Sequence, residues 1–83
     1  MQITLKLFAS LSKHLPPEAE GNIVRIEVPE GTTPLDVVRR MHVPEKMAHL
    51  VVINGVYVAP DERGRRPLEE GEELAIFPPV AGG

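Results

Sequence analysis

Seven residues, Phe77-Pro78-Pro79-Val80-Ala81-Gly82-Gly83, combine a stiff stem with a thin tip. Proline fixes φ and lacks an N–H. Pro78-Pro79 should therefore stop the apolar run that ends at Phe77 and favour an extended, polyproline-like path away from the body. Gly82 and Gly83 carry no Cβ, so the tip is narrow and can take almost any φ/ψ. A free carboxylate at Gly83 would suit threading into a narrow pocket on another protein. A frayed end is the competing explanation, since termini are often poorly ordered. Frayed tails are usually charged or polar, however, and no side chain of either kind follows Phe77.

Little else in the sequence offers chemistry. The chain has no cysteine, which removes disulfides, thiolate catalysis and zinc–thiolate sites together. His42 and His49 lie seven apart, His14 is distant, and no acidic residue stands at ligand spacing, so no metal is expected and the histidines read as ordinary surface groups. No Ser/His/Asp arrangement is identifiable, and Lys6, Lys13 and Lys46 read as surface charges. No glycine-rich phosphate loop with a lysine is present, so no bound cofactor is expected and any ATP site should belong to a partner.

The elements that would hold the tail follow from periodicity. Gln2 to Phe8 alternates, with Ile3, Leu5 and Leu7 on one face, which predicts a half-buried strand with Phe8 on the opposite, polar face. Ser10 can cap a short helix carrying Leu11 and Leu15, stopped by Pro16-Pro17. Val24, Ile26 and Val28 alternate in a second strand, with Ile23 on the other face, and the two strands are expected to be neighbours. Thr33-Pro34-Leu35-Asp36 is a helix start: Thr33 caps, proline suits the first position, and Asp36 approximates a capping box. Leu35, Val38 and Met41 recur at helical spacing, and Val43-Pro44 closes the helix. Asn54-Gly55 between Leu50–Ile53 and Val56–Val58 predicts a hairpin with a type I′ turn. Glu72 to Phe77 reads as the final strand, with Leu74 and Ile76 on one face and Phe77 on the other.

This order indicates an α+β domain, a mixed sheet of four to five strands on one main helix, as in the β-grasp or ubiquitin-like roll. The length of 83 residues bounds it to one domain, with residues 1–77 as the body and 78–83 as a flexible tail. The net charge of −3 gives no basic face for nucleic acid. No apolar run approaches the ~20 residues that span a bilayer. Met1-Gln2 leads directly into a strand pattern rather than a signal peptide, so a cytoplasmic location is expected.

Several stretches resemble the small sulfur carriers of the MoaD/ThiS family. They are Leu7-Phe8-Ala9, Pro29-Glu30-Gly31-Thr32-Thr33, Val52-Ile53-Asn54-Gly55, Glu70-Gly71-Glu72-Glu73-Leu74 and the tail, together spanning nearly the whole chain. The internal pieces are mostly turn and cap chemistry. The tail is the specific part and looks more like the molybdopterin-synthase small subunit than the thiamine carrier. The resemblance implies that an ATP-using, ubiquitin-activating-like adenylyltransferase adenylates the Gly83 carboxylate. A sulfur donor then converts the acyl adenylate to a thiocarboxylate. The large subunit of molybdopterin synthase takes the tail and passes the sulfur to a pterin precursor, forming the dithiolene that later holds molybdenum or tungsten. The free carrier is expected to be a monomer, a non-catalytic subunit without an active site of its own.

On that resemblance, Gly83 carries the reacting carbon and Gly82 lets the backbone approach catalytic groups. Val80 and Ala81 are small enough to follow a narrow channel. Phe8 and Phe77, both off the core faces, are candidates for a docking patch with Pro78 and Pro79, although Phe8 could instead staple the first helix. Glu69, Glu70, Glu72 and Glu73 form an acidic run that either steers a basic partner or is simply solvated. Arg63, Arg65 and Arg66 read as a solvated loop. Three other functions start from the same tail or fold. They are a carrier for tRNA thiolation or thiamine, a ubiquitin-like modifier joined to lysines, and a β-grasp binding module without tail chemistry.

Overall fold

The computed structural model describes residues 1–80. The strands are β1 (Gln2–Leu7), β2 (Ile23–Glu27), β3 (Leu50–Ile53), β4 (Val56–Tyr57) and β5 (Glu73–Phe77), with one α-helix, α1 (Pro34–Arg40). They form a five-stranded sheet in the order β2-β1-β5-β3-β4. β1 pairs antiparallel with β2 and parallel with β5, while β3 pairs antiparallel with β5 and β4. With α1 on one face, this is the β-grasp roll.

Alternation decides the faces. Ile3, Leu5 and Leu7 are each at most 1% exposed, and Leu74 and Ile76 beside them are fully buried. Val24 and Ile26, then Val51 and Ile53, complete the inner face, against which α1 presents Val37 and Val38. Burying a branched aliphatic side chain contributes about 1.5–3 kcal/mol, so this single layer supplies most of the stabilisation of a small domain.

The start of α1 forms as its sequence dictates. Thr33 Oγ1 accepts from the Asp36 N–H (3.2 Å) and Asp36 Oδ2 accepts from the Thr33 N–H (3.0 Å), a complete capping box with Pro34 at the first position. Leu35 and Met41 are only partly buried, and Pro34, Val37 and Val38 carry the core contact instead. The helix stops at Arg40, ahead of Val43-Pro44, because His42 adopts φ +61°. The β3–β4 turn has Asn54 at φ +49° and Gly55 at φ +84°, as a type I′ turn requires.

Between β1 and β2 the chain forms a 3₁₀ helix over Ala9–His14. Ser10 does not cap it: Phe8 is the capping residue, no side chain contributes, and Ser10 lies inside the helix. Entry requires φ +52° at Ala9, and the Ser12 hydroxyl donates to the Ala9 carbonyl (2.9 Å). Leu11 is buried and Leu15 only partly so.

Candidate functional site

β1 and β5 are parallel and in register, with Leu7 opposite Ile76. Each strand is followed or ended by a phenylalanine on the outer face, so Phe8 and Phe77 fall side by side. The Phe8 N–H donates to the Ile76 carbonyl (3.2 Å), and the rings stack with centroids 4.3 Å apart and planes within 2°. Ring planes in contact at about 3.5–4.0 Å must then be offset by roughly 1.5–2.5 Å, the favourable arrangement for two aromatic faces. Both rings are half-buried, so part of the pair remains exposed.

The tail leaves from this stack. Phe8, Ala9 and Ser10 on one side and His49 and Leu50 on the other line a shallow groove of about 530 Å³, across which Phe77, Pro78, Pro79 and Val80 run. Pro78 is half-buried and Val80 is 75% exposed, so the stem moves from the body into solvent within three residues. Phe77, Pro78, Pro79, Val80 and Phe8 are thus brought together. Ala81, Gly82 and Gly83 lie outside the described residues.

The apolar surface extends beyond the groove. Leu50 pairs with Phe77, and in the next row the registers place Ile23, Lys6, Ala75, Val52 and Tyr57 in line across the sheet. Ile23, Leu50 and Tyr57 are 44%, 36% and 55% exposed; Leu50 adjoins the stack, whereas Ile23 and Tyr57 stand at the two edges of the sheet, separated by half-buried Lys6 and Val52 and by buried Ala75. Leu50, His49 and Tyr57 were not singled out from sequence. The apolar runs Leu50–Ile53 and Val56–Val58 were visible, but nothing in them reveals which strand lies beside β5.

The charged residues are more tightly tied than their composition suggests. Arg66 Nη2 meets Glu72 Oε2 at 2.8 Å and its Nη1 meets Oε1 at 3.1 Å. The hydrogen bond from Arg66 holds the Glu72 carboxyl below the usual carboxylate range, helped by the Glu69 N–H and opposed by burial. The Arg66 guanidinium is raised in turn by its bond to Glu72. Lys6 pairs with Glu73 at 3.1 Å, and Glu70 Oε1 accepts from the Gln2 N–H at 3.0 Å. Three members of the acidic run therefore have local partners, at the end of β5 opposite the tail, which disfavours steering at the groove. Arg63 and Arg66 are likewise no solvated loop: Arg63 donates to the carbonyls of Val58, Ala48 and His49.

Among the described residues no group of three His, Cys, Asp or Glu side chains could hold a metal ion. No helix among the described residues is long and apolar enough to cross a membrane. Within the described residues the site offers the stacked aromatic pair, the groove and the proline-stiffened stem.

Comparison with known proteins gives this arrangement its relatives. The sequence profile of the ThiS family matches residues 6–83. SAMP1 from Haloferax volcanii, a small archaeal modifier protein, is 30% identical, superposes with a TM-score of 0.68, and is covered in full, as is this chain. A Pyrococcus furiosus protein provisionally assigned as subunit 1 of molybdopterin converting factor is 22% identical, with a TM-score of 0.66 over 95% of this chain and 98% of that one. A complex of subunits 1 and 2 of molybdopterin-converting factor from Helicobacter pylori contains a chain 15% identical, with a TM-score of 0.59 and full coverage of both. The last two likenesses establish the fold alone. No curated protein matches the sequence.

Proposed function

This chain belongs to the ThiS family, and from that premise we propose that it is a sulfur carrier whose Gly83 carboxylate is activated, thiocarboxylated and presented to an acceptor enzyme. The observation that carries the proposal is the exit of an uncharged, proline-stiffened tail from the stacked Phe8–Phe77 pair, beside the exposed Leu50. A partner that covers Leu50 and the stack receives the tail at a defined place and direction.

The chemistry requires help from outside. A carboxylate is a poor electrophile. Attack of a Gly83 oxygen on the α-phosphorus of ATP, with pyrophosphate leaving, would give an acyl adenylate. A sulfide-level sulfur attacking that carbonyl would expel AMP and leave the thiocarboxylate. The first step belongs to a ubiquitin-activating-like adenylyltransferase and the second draws on a sulfur donor. The chain's own part is to supply a thin terminus: Gly82 leaves room around the reacting carbon, and Val80 and Ala81 add little bulk. The terminal sulfur replaces the thiol that a chain without cysteine lacks. We assign the acceptor as a pterin precursor, with this chain as the small subunit of molybdopterin synthase, on the Phe-Pro-Pro-Val-Ala-Gly-Gly tail. On this reading the reaction takes place in the cytoplasm, where ATP is available.

The full-length, 30% identity to SAMP1 favours a second outcome from the same adenylate, attack by a lysine amine to form an isopeptide. Incubation with a candidate activating enzyme, ATP and a sulfur donor, read by intact mass, separates the two. A carrier replaces one oxygen by sulfur, a modifier gains a lysine-linked adduct, and an unchanged mass refutes both. Gly82→Val should abolish either product while leaving the fold intact, and normal conversion of that variant would refute the threading of the tail. Copurification with a large synthase subunit tests the pterin assignment.

A further inference from the structure

The β4 strand ends early, and the way its absence is made good singles out one residue. The β3–β4 ladder pairs Val52 with Tyr57, and its next bond runs from the Val58 N–H to the Val51 carbonyl at 2.8 Å. Extending that register by two residues would set Pro60 against His49. Proline has no N–H, so the ladder cannot donate to the His49 carbonyl and β4 cannot continue. The edge of the chain entering β3 would be left open on this side. On its other side the same stretch holds the end of β5: the His49 N–H donates to the Phe77 carbonyl at 3.0 Å, and Leu50 pairs with Phe77.

Arg63 fills the gap. Its Nη2 donates to the His49 carbonyl at 3.1 Å, its Nη1 to the Ala48 carbonyl at 2.8 Å, and its Nε to the Val58 carbonyl at 3.0 Å. The guanidinium carbon lies 5.9 Å from the Tyr57 ring centre, and the Arg63 carbonyl accepts from the Leu35 N–H at 2.9 Å in the first turn of α1. A planar fork with several fixed donors can bridge carbonyls from two chain segments, which an ammonium on a flexible stem cannot do in the same geometry.

We propose that Arg63 is a positioning residue that stands in for the missing strand partner of Ala48–His49, clamps the start of β3 against Phe77, and so fixes the point and direction in which the tail leaves the sheet. The use made of that fixed exit rests on the carrier function proposed above. Arg63 itself touches no reacting atom.

The test compares Arg63→Met and Arg63→Lys with Arg66→Met, which cuts polar contacts at the far end of β5. Amide hydrogen exchange is read by NMR on the chain alone, and the KM for the chain is read in ATP–pyrophosphate exchange with whichever adenylating enzyme gives the mass change above. Arg63→Met should speed exchange at His49 by about tenfold, the scale of losing a hydrogen bond to a charged group. It should also shift the Phe77 resonances and raise KM several-fold with kcat unchanged. Arg63→Lys should rescue neither, and serves as the test should Arg63→Met fail to fold. Arg66→Met should leave His49 exchange and KM as in the parent. Unchanged His49 protection in the Arg63 variants, full rescue by lysine, or an equal response to Arg66→Met would overturn the proposal. Failure of the unaltered chain to be activated would instead refute the carrier function, and the exchange contrast would still decide the role of Arg63.

Discussion

Replacing Phe8 and Phe77 by alanine, singly and together, would show whether the stack is one unit. At a 4.3 Å centroid separation with parallel planes, the pair should carry about 0.5–1.5 kcal/mol of coupling beyond the apolar area each ring buries. In the folding equilibrium that is about a two- to thirteenfold non-additivity. Urea unfolding of the four proteins gives the coupling directly, because each single variant already removes the ring–ring contact and the second truncation then costs less than it does alone. In conversion to the thiocarboxylate, both single variants should raise KM, with the double variant little worse than either, since a partner that seats on the pair loses its seat once one ring is gone. Stability changes that add to within about 0.3 kcal/mol would refute the coupling. Single variants that unfold early yet leave KM unchanged would refute the docking role while leaving the structural one.

The Arg66–Glu72 pair sets a pH dependence. Glu72 has a folded pKa below its unfolded value, so its contribution is present above the ordinary carboxylate range and is lost as pH falls through the depressed value. Glu72→Gln should therefore cost about 1 kcal/mol near neutrality, between an exposed pair and a hydrogen bond to a charged group, because the Arg66 side chain is 35% exposed. The gap from the parent should close in acid unfolding below pH ~4, and a gap independent of pH would contradict the assignment. At the two boundaries of α1, Thr33→Ala should cost about 1 kcal/mol through the capping box, whereas His42→Gly should stabilise the chain slightly by relieving its positive φ, both read as shifts of the urea midpoint.

Local chemistry was legible where the signal sits within a few residues. The Thr33–Asp36 box, the Asn54-Gly55 turn and the alternation that buries Ile3, Leu5 and Leu7 each depend on neighbours in sequence, and each formed as expected. Phe8 and Phe77 were recognisable one at a time as residues on the wrong face of a strand. That they touch depends on β5 entering the sheet parallel to β1, a pairing between the two ends of the chain to which no local pattern points. The same holds for Leu50 and His49, which join the groove only because β3 lies on the other side of β5. Ser10 looked like a cap because its type suits one, but the turn begins at Phe8 through a left-handed Ala9. Arg63, Arg65 and Arg66 read as a solvated cluster because side-chain bonds to distant carbonyls leave no imprint on composition.

The pairing invisible in the sequence is also what makes the tail usable. A terminus emerging from an edge strand would inherit that strand's fraying, whereas β5 lies in the middle of the sheet, with β1 on one side and β3 on the other. Its last residue, Phe77, is held by Phe8 across one boundary and by His49 and Leu50 across the other, and Arg63 secures that second wall from behind. Order therefore persists up to the residue before Pro78, and the prolines then carry the chain outward without needing ladder partners. Catalytic groups supplied by other proteins can act on a backbone carboxylate only if it arrives at a reproducible place. A fixed exit point for the tail reduces the entropy that each partner must otherwise overcome on binding.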